Sequence, residues 1–92
     1  MGDESIGRAA IEKIELAWQA DPSKFRVDKK QNRLIYTYPQ DGPWYELKYI
    51  ADELPNSLEA EISGGNQLIM NYEQAQELFG IKFRRWLGIF NL

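Results

Sequence analysis

The sequence predicts an α+β fold: an antiparallel sheet of about five strands with N- and C-terminal helices packed on one face (α-β-β-β-β-β-α). Three observations predict it. Apolar residues recur at spacings of three and four over residues 6–18 and again over 72–90. Between those stretches the period falls to two. The 92 residues are 43% hydrophobic and 13% aromatic, with no linker or repeat, so 1–92 reads as one packed domain.

In the first helix, Ile6, Ala10, Ile14, Ala17 and Trp18 form the apolar stripe, widened by Ile11. Arg8, Glu12, Lys13 and Glu15 are expected to face away, and Leu16 lies off the stripe. Asp3 or Ser5 suits the N-cap, and Asp21-Pro22 ends the helix because a residue before proline is driven from helical geometry. Phe25 and Val27 then alternate with Lys24, Arg26 and Asp28. Leu34, Tyr36 and Tyr38 alternate with Arg33, Ile35 and Thr37, across a polar turn at 29–32. Pairing Asp28 with Arg33 sets Val27 against Leu34 and Phe25 against Tyr36, so all large apolar groups share a face.

Pro39 to Pro43 is a loop. Trp44 to Ile50 is expected as the third strand, with a bulge that turns Tyr45, Leu47 and Tyr49 inward. Pro55 bars a continuous helix or central strand over 51–57. Leu58 to Ile62 alternates and reads as the fourth strand; a helix over 56–62 is the alternative, since Leu54, Leu58 and Ile62 are four apart. A two-residue Gly64-Gly65 turn returns the chain along Gln67 to Met70, with Ile62 facing Gln67 and Ala60 facing Ile69. Asn71 caps the terminal helix, with Gln74 at the reciprocal capping position. Gly80 marks a kink, a break or a close packing contact, and Gly88 ends the helix.

The absence of His and Cys excludes Ser-His-Asp and Cys-His catalysis, disulfides and thiolate metal sites. No catalytic motif stands out, and no cofactor or metal is expected. The pairs Asp52-Glu53 and Glu59/Glu61 have oxygen ligands, but no spacing like a calcium-binding loop. No run of eighteen apolar residues exists, and the N-terminus lacks a secretory pattern, which makes a cytoplasmic location the expectation.

Charge is unevenly placed. Lys24 to Arg33 holds five bases against Asp28 alone; Ile50 to Phe79 holds six acids and no base; Lys82, Arg84 and Arg85 follow with no acid. The terminal stripe of Tyr72, Ala75, Phe79, Phe83, Trp86 and Phe90 is almost wholly aromatic. It serves either as the main core helix or as a docking surface, and Arg84 to Leu92 stays open between the two. The expected function is a non-catalytic protein-interaction, assembly or regulatory module. It would bind an acidic protein surface through Lys24, Arg26, Arg33, Lys82, Arg84, Arg85, Trp86 and Phe90. The alternative is binding of nucleic acid or an anionic membrane surface through the same bases.

Glu73 to Ile81 resembles the first helix and turn of a helix-turn-helix motif. The small residue and the turn glycine, Ala75 and Gly80, are however five apart where that family has four, and only the stretch up to Gly88 is left for a recognition helix. The order of helix, antiparallel strands and closing helix is similar to several small α+β families, frataxin-like and RNA-binding ones included. Such a likeness implies topology and not function.

Overall fold

The computed structural model describes residues 2–39 and 44–88, with side chains over 7–39 and 45–88. The elements are α1 (Gly2–Ala20), β1 (Phe25–Asp28), β2 (Arg33–Thr37), α2 (Trp44–Glu53), β3 (Glu61–Ser63), β4 (Gln67–Asn71), α3 (Tyr72–Leu78) and α4 (Ile81–Gly88). Single 3-10 turns at Pro22–Lys24 and Asn56–Leu58 lead into β1 and toward β3. The sheet is antiparallel in the order β1-β2-β4-β3. The α+β class is therefore as expected, but among the described residues the sheet has four strands and the α-helices number four.

The first hairpin adopts the expected register, with Phe25 opposite Tyr36, Val27 opposite Leu34 and Asp28 opposite Arg33. Its turn places Asn32 in the left-handed region (φ 58°), which Asn tolerates better than most residues. Asp28 helps form the turn by accepting a hydrogen bond from the Gln31 N–H at 3.2 Å. Lys24, expected at the start of the strand, closes the preceding 3-10 turn instead. Asp21 caps that turn by accepting from Ser23, and this bond holds its carboxyl below the ordinary value of 3.8.

The third expected strand is a helix. Leu47 and Ile50 of α2 and Leu54 just beyond its end are buried at spacings of three and four, while Tyr45 and Tyr49 face solvent. The run of Trp and Tyr favours extended structure locally. Burial decides otherwise, because only a helix brings Leu47, Ile50 and Leu54 to one side. Since β2 and β3 are each antiparallel to β4, they point the same way, and α2 lies in the crossover that joins them.

The fourth strand also departs from expectation. Leu58 is buried at the end of a 3-10 turn, and only Glu61–Ser63 pairs with β4. The connecting loop has three residues, because Ser63 rather than Ile62 lies opposite Gln67. Gly64 and Gly65 both have positive φ (64° and 81°) there. The one-residue shift sets Ile62 against Leu68 and keeps both on the inner face.

The terminal helix is broken at Phe79-Gly80 into α3 and α4. Asn71 caps α3 as expected, its side chain accepting from the Gln74 N–H at 3.0 Å. Tyr72, Ala75, Phe79, Phe83 and Leu87 are all buried in one cluster with Ile14, Leu47 and the inner sheet residues Phe25, Leu34, Tyr36, Leu68 and Met70. Phe83 stacks on Trp18 of α1 at 4.9 Å between centroids and meets Phe25 of β1 edge-on at 5.5 Å. The Tyr72 hydroxyl donates to the Leu87 carbonyl at 2.8 Å, which ties α3 to the far end of α4. Tyr72, Ala75, Phe79 and Phe83 of the expected stripe are thus core, joined by Leu87, while Trp86 is half-buried; Phe90 lies outside the described residues.

Candidate interaction surface

Every described helix buries its apolar side in the cluster on the inner face of the sheet. The outer face carries no helix among the described residues. Strand alternation assigns its side chains, and the pairings arrange them in three transverse rows. Asp28, Arg33 and Asn71 form the first; Arg26, Ile35, Ile69 and Glu61 the second; Thr37, Gln67 and Ser63 the third. Ile35 is only 6% exposed, yet it lies outside the core cluster. Charge runs across the rows, from Arg26 and Arg33 on the β1–β2 side to Glu61 on β3. Glu59 extends the acidic side, because its carboxylate accepts from the Asn71 amide at 3.0 Å.

The expected binding residues divide between two layers. Arg26 and Arg33 are exposed on the outer face, with Lys24 half-buried beside them at the mouth of β1. Lys82, Arg84 and Arg85 are exposed on α4, which packs on the opposite face through Phe83 and Leu87. A single flat partner cannot touch both sets. Trp86 is half-buried, 6.0 Å from Trp18 and 5.9 Å from Phe83. Arg84 donates to the Phe79 carbonyl at 3.2 Å and lines a groove with Glu12, Glu15, Asp52 and Glu53. Those acids suit an acidic ligand poorly.

Glu15 has a role that the sequence pattern missed. Its carboxylate accepts the Gly80 N–H at 2.7 Å, capping α4 from α1. A Cβ on residue 80 would come within 3.3 Å of that carboxylate, so glycine leaves it room. The only sequence signal was a glycine inside an amphipathic helix with no local capping side chain before it. Because an N-terminal carboxylate satisfies an orphan donor and complements the helix dipole, Glu15→Ala is expected to destabilise the fold by about 1 kcal/mol. Glu12→Ala, one turn away and exposed, should change stability little; urea unfolding of both variants checks the contrast.

Tyr38 marks the contact between β2 and α2. Its hydroxyl donates to Glu46 at 2.7 Å, and this bond, with burial and the nearby negative charge, pushes its pKa up to about 12. A raised tyrosine pKa means that the interaction is fully present below about pH 10 and is lost as pH climbs toward 12. In Glu46→Gln, the Tyr38 ring should titrate closer to the ordinary value, as read from its carbon-13 shift.

Among the described residues no group of three His, Cys, Asp or Glu side chains converges as a metal site, and no helix is long and apolar enough to cross a membrane. In comparison with known proteins, no family model, curated protein or solved structure matches the chain.

Proposed function

We propose that the chain is a non-catalytic protein-interaction module that binds an acidic protein surface through the outer sheet face. Arg26 and Arg33 supply the attraction, with Lys24 at the edge, and Ile69 supplies apolar contact. One observation carries this reading: the basic hairpin lies on the face that carries no helix among the described residues, whereas the terminal stripe from Tyr72 to Phe83 is buried in the core. Rim charges of this type govern orientation and association rate more than affinity.

Among the described residues the outer face carries no aromatic platform of the kind on which single-stranded nucleic acids stack, and Glu59 and Glu61 would repel phosphate. A membrane-surface reading needs the large apolar residues of α4, but of the described ones only Ile81 is exposed, Phe83 and Leu87 being buried and Trp86 half-buried. Protein binding is left as the reading with the fewest conflicts.

Amide shifts in nitrogen-15 spectra test it, with poly-glutamate as the acidic probe and an oligonucleotide or anionic vesicles as alternatives. Poly-glutamate is expected to move residues 24–37 and Ile69 and to lose that effect in the Arg26→Glu, Arg33→Glu double variant. Shifts confined to 82–86, or saturation by the oligonucleotide alone, would overturn the reading.

A further inference from the structure

The row Arg26–Ile35–Ile69–Glu61 crosses all four strands and reads basic, apolar, apolar, acidic. A row with opposite charges at its two ends and like groups in the middle is complementary to its own reverse. We infer that the acidic surface recognised by this face is the same face of a second copy of the chain. The inference rests on the reading above and names its partner.

Charge selects the geometry. A two-fold axis parallel to the strands, between β2 and β4, stacks β1 of one copy over β3 of the other. Arg26 then falls opposite Glu61, and Ile35 opposite Ile69, twice over by symmetry. An axis perpendicular to the strands in the same plane would set Arg26 on Arg26 and Glu61 on Glu61. That arrangement is repulsive at both edges. In the favoured one Arg33 falls over Asn71, beside the Glu59 that Asn71 holds. Asp28 is the exception, since it falls near Glu59, but its carboxylate already accepts from the Gln31 N–H.

Size sets the strength. Four strands spaced about 4.8 Å apart, with up to five residues each rising about 3.3 Å, present a face of roughly 300 Å². Stable complexes bury about 800 Å² per partner. The dimer is therefore weak, forms in the upper micromolar range or above, and weakens with salt because its edge pairs are solvent-exposed.

Within one copy Arg26 and Glu61 sit three strands apart, about 14 Å by strand spacing, so an intramolecular pair cannot explain coupling between them. Sedimentation equilibrium from about 10 µM to about 1 mM at low salt tests the proposal in the full chain, in Arg26→Glu, in Glu61→Arg and in the double swap. Both positions are exposed, and circular dichroism confirms that each variant folds. The expected result is self-association of the parent, weakening by about tenfold or more in each single variant, and recovery to within about threefold in the swap. A parent that stays monomeric throughout, or single variants that associate as the parent does, overturns it. Poly-glutamate shifts on the same samples separate the two readings. A monomer that still answers poly-glutamate at residues 24–37 overturns only self-association; a monomer that does not overturns both.

Discussion

Phe83→Ala is expected to cost about 3–5 kcal/mol of stability, the range for truncating a fully buried aromatic ring. The ring is 1% exposed and joins four parts of the fold. It stacks on Trp18 from α1, meets Phe25 from β1 edge-on, lies 4.7 Å from Phe79 at the helix break, and contacts Trp86 one turn on in α4. Neighbours anchored on separate elements cannot all collapse into the void, which places the cost toward the upper part of that range. A domain of this size holds about 5–15 kcal/mol in total, so the variant should melt near ambient temperature or fail to fold. Urea unfolding followed by tryptophan fluorescence measures it. Trp86→Ala, half-buried at the margin of the same cluster, should cost clearly less. A Phe83→Ala variant with an unchanged unfolding midpoint would show that α4 is an appendage and not core.

Asn32→Ala is expected to cost about 2–3 kcal/mol, a large effect for a half-buried turn residue, because two penalties add. Asn32 has φ 58°, where a Cβ without a local polar group is disfavoured by roughly 1 kcal/mol. Its side chain also caps α3, 41 residues away, by accepting the Glu73 N–H at 3.0 Å. The same amide donates to Asn71 Oδ1 at 3.2 Å, which fixes the side chain that caps Gln74. The Asn32 carbonyl accepts from Tyr72 as well, at 3.0 Å. Asn32→Gly keeps the left-handed turn and loses only the side-chain bonds, so it should cost about half as much. Urea midpoints decide the order, and a glycine variant less stable than the alanine variant would contradict this account.

The parts of the fold that sequence could reveal are those specified by short-range pattern. The β1–β2 register followed from period-two alternation on both sides of a polar turn, and only one pairing kept Phe25, Val27, Leu34 and Tyr36 together. Asn71 at the start of α3 was legible because a cap and its target are three residues apart. Helix α2 was not, because Trp44, Tyr45 and Tyr49 favour strands locally while the stripe that decides the matter runs on to Leu54, close to Pro55. The β3–β4 loop needed knowledge of which face was buried, and a glycine pair permits two-residue and three-residue turns alike. Contacts between distant segments, such as Glu15 with Gly80 and Asn32 with Glu73, leave almost no local trace.

The same division applies to the surface. The basic hairpin was visible as a run of Lys and Arg, and so were the bases of the terminal helix. Their separation onto opposite layers depends on where Phe83 packs, which no charge pattern reports. The acidic end of the outer face was visible only as Glu59 and Glu61, two apart on an expected strand. It became part of one row with Arg26 through the pairing of β4 with both β2 and β3.

Site-specific photo-cross-linking in the native cell most directly tests the claim that the outer sheet face, not the terminal helix, meets the partner. A photoreactive side chain is placed at Gln67 on the outer face in one variant and at Arg85 on α4 in another. Discrete protein adducts are expected from position 67, including a species of twice the chain mass, and none from position 85. Adducts from position 85 with none from position 67 would contradict it.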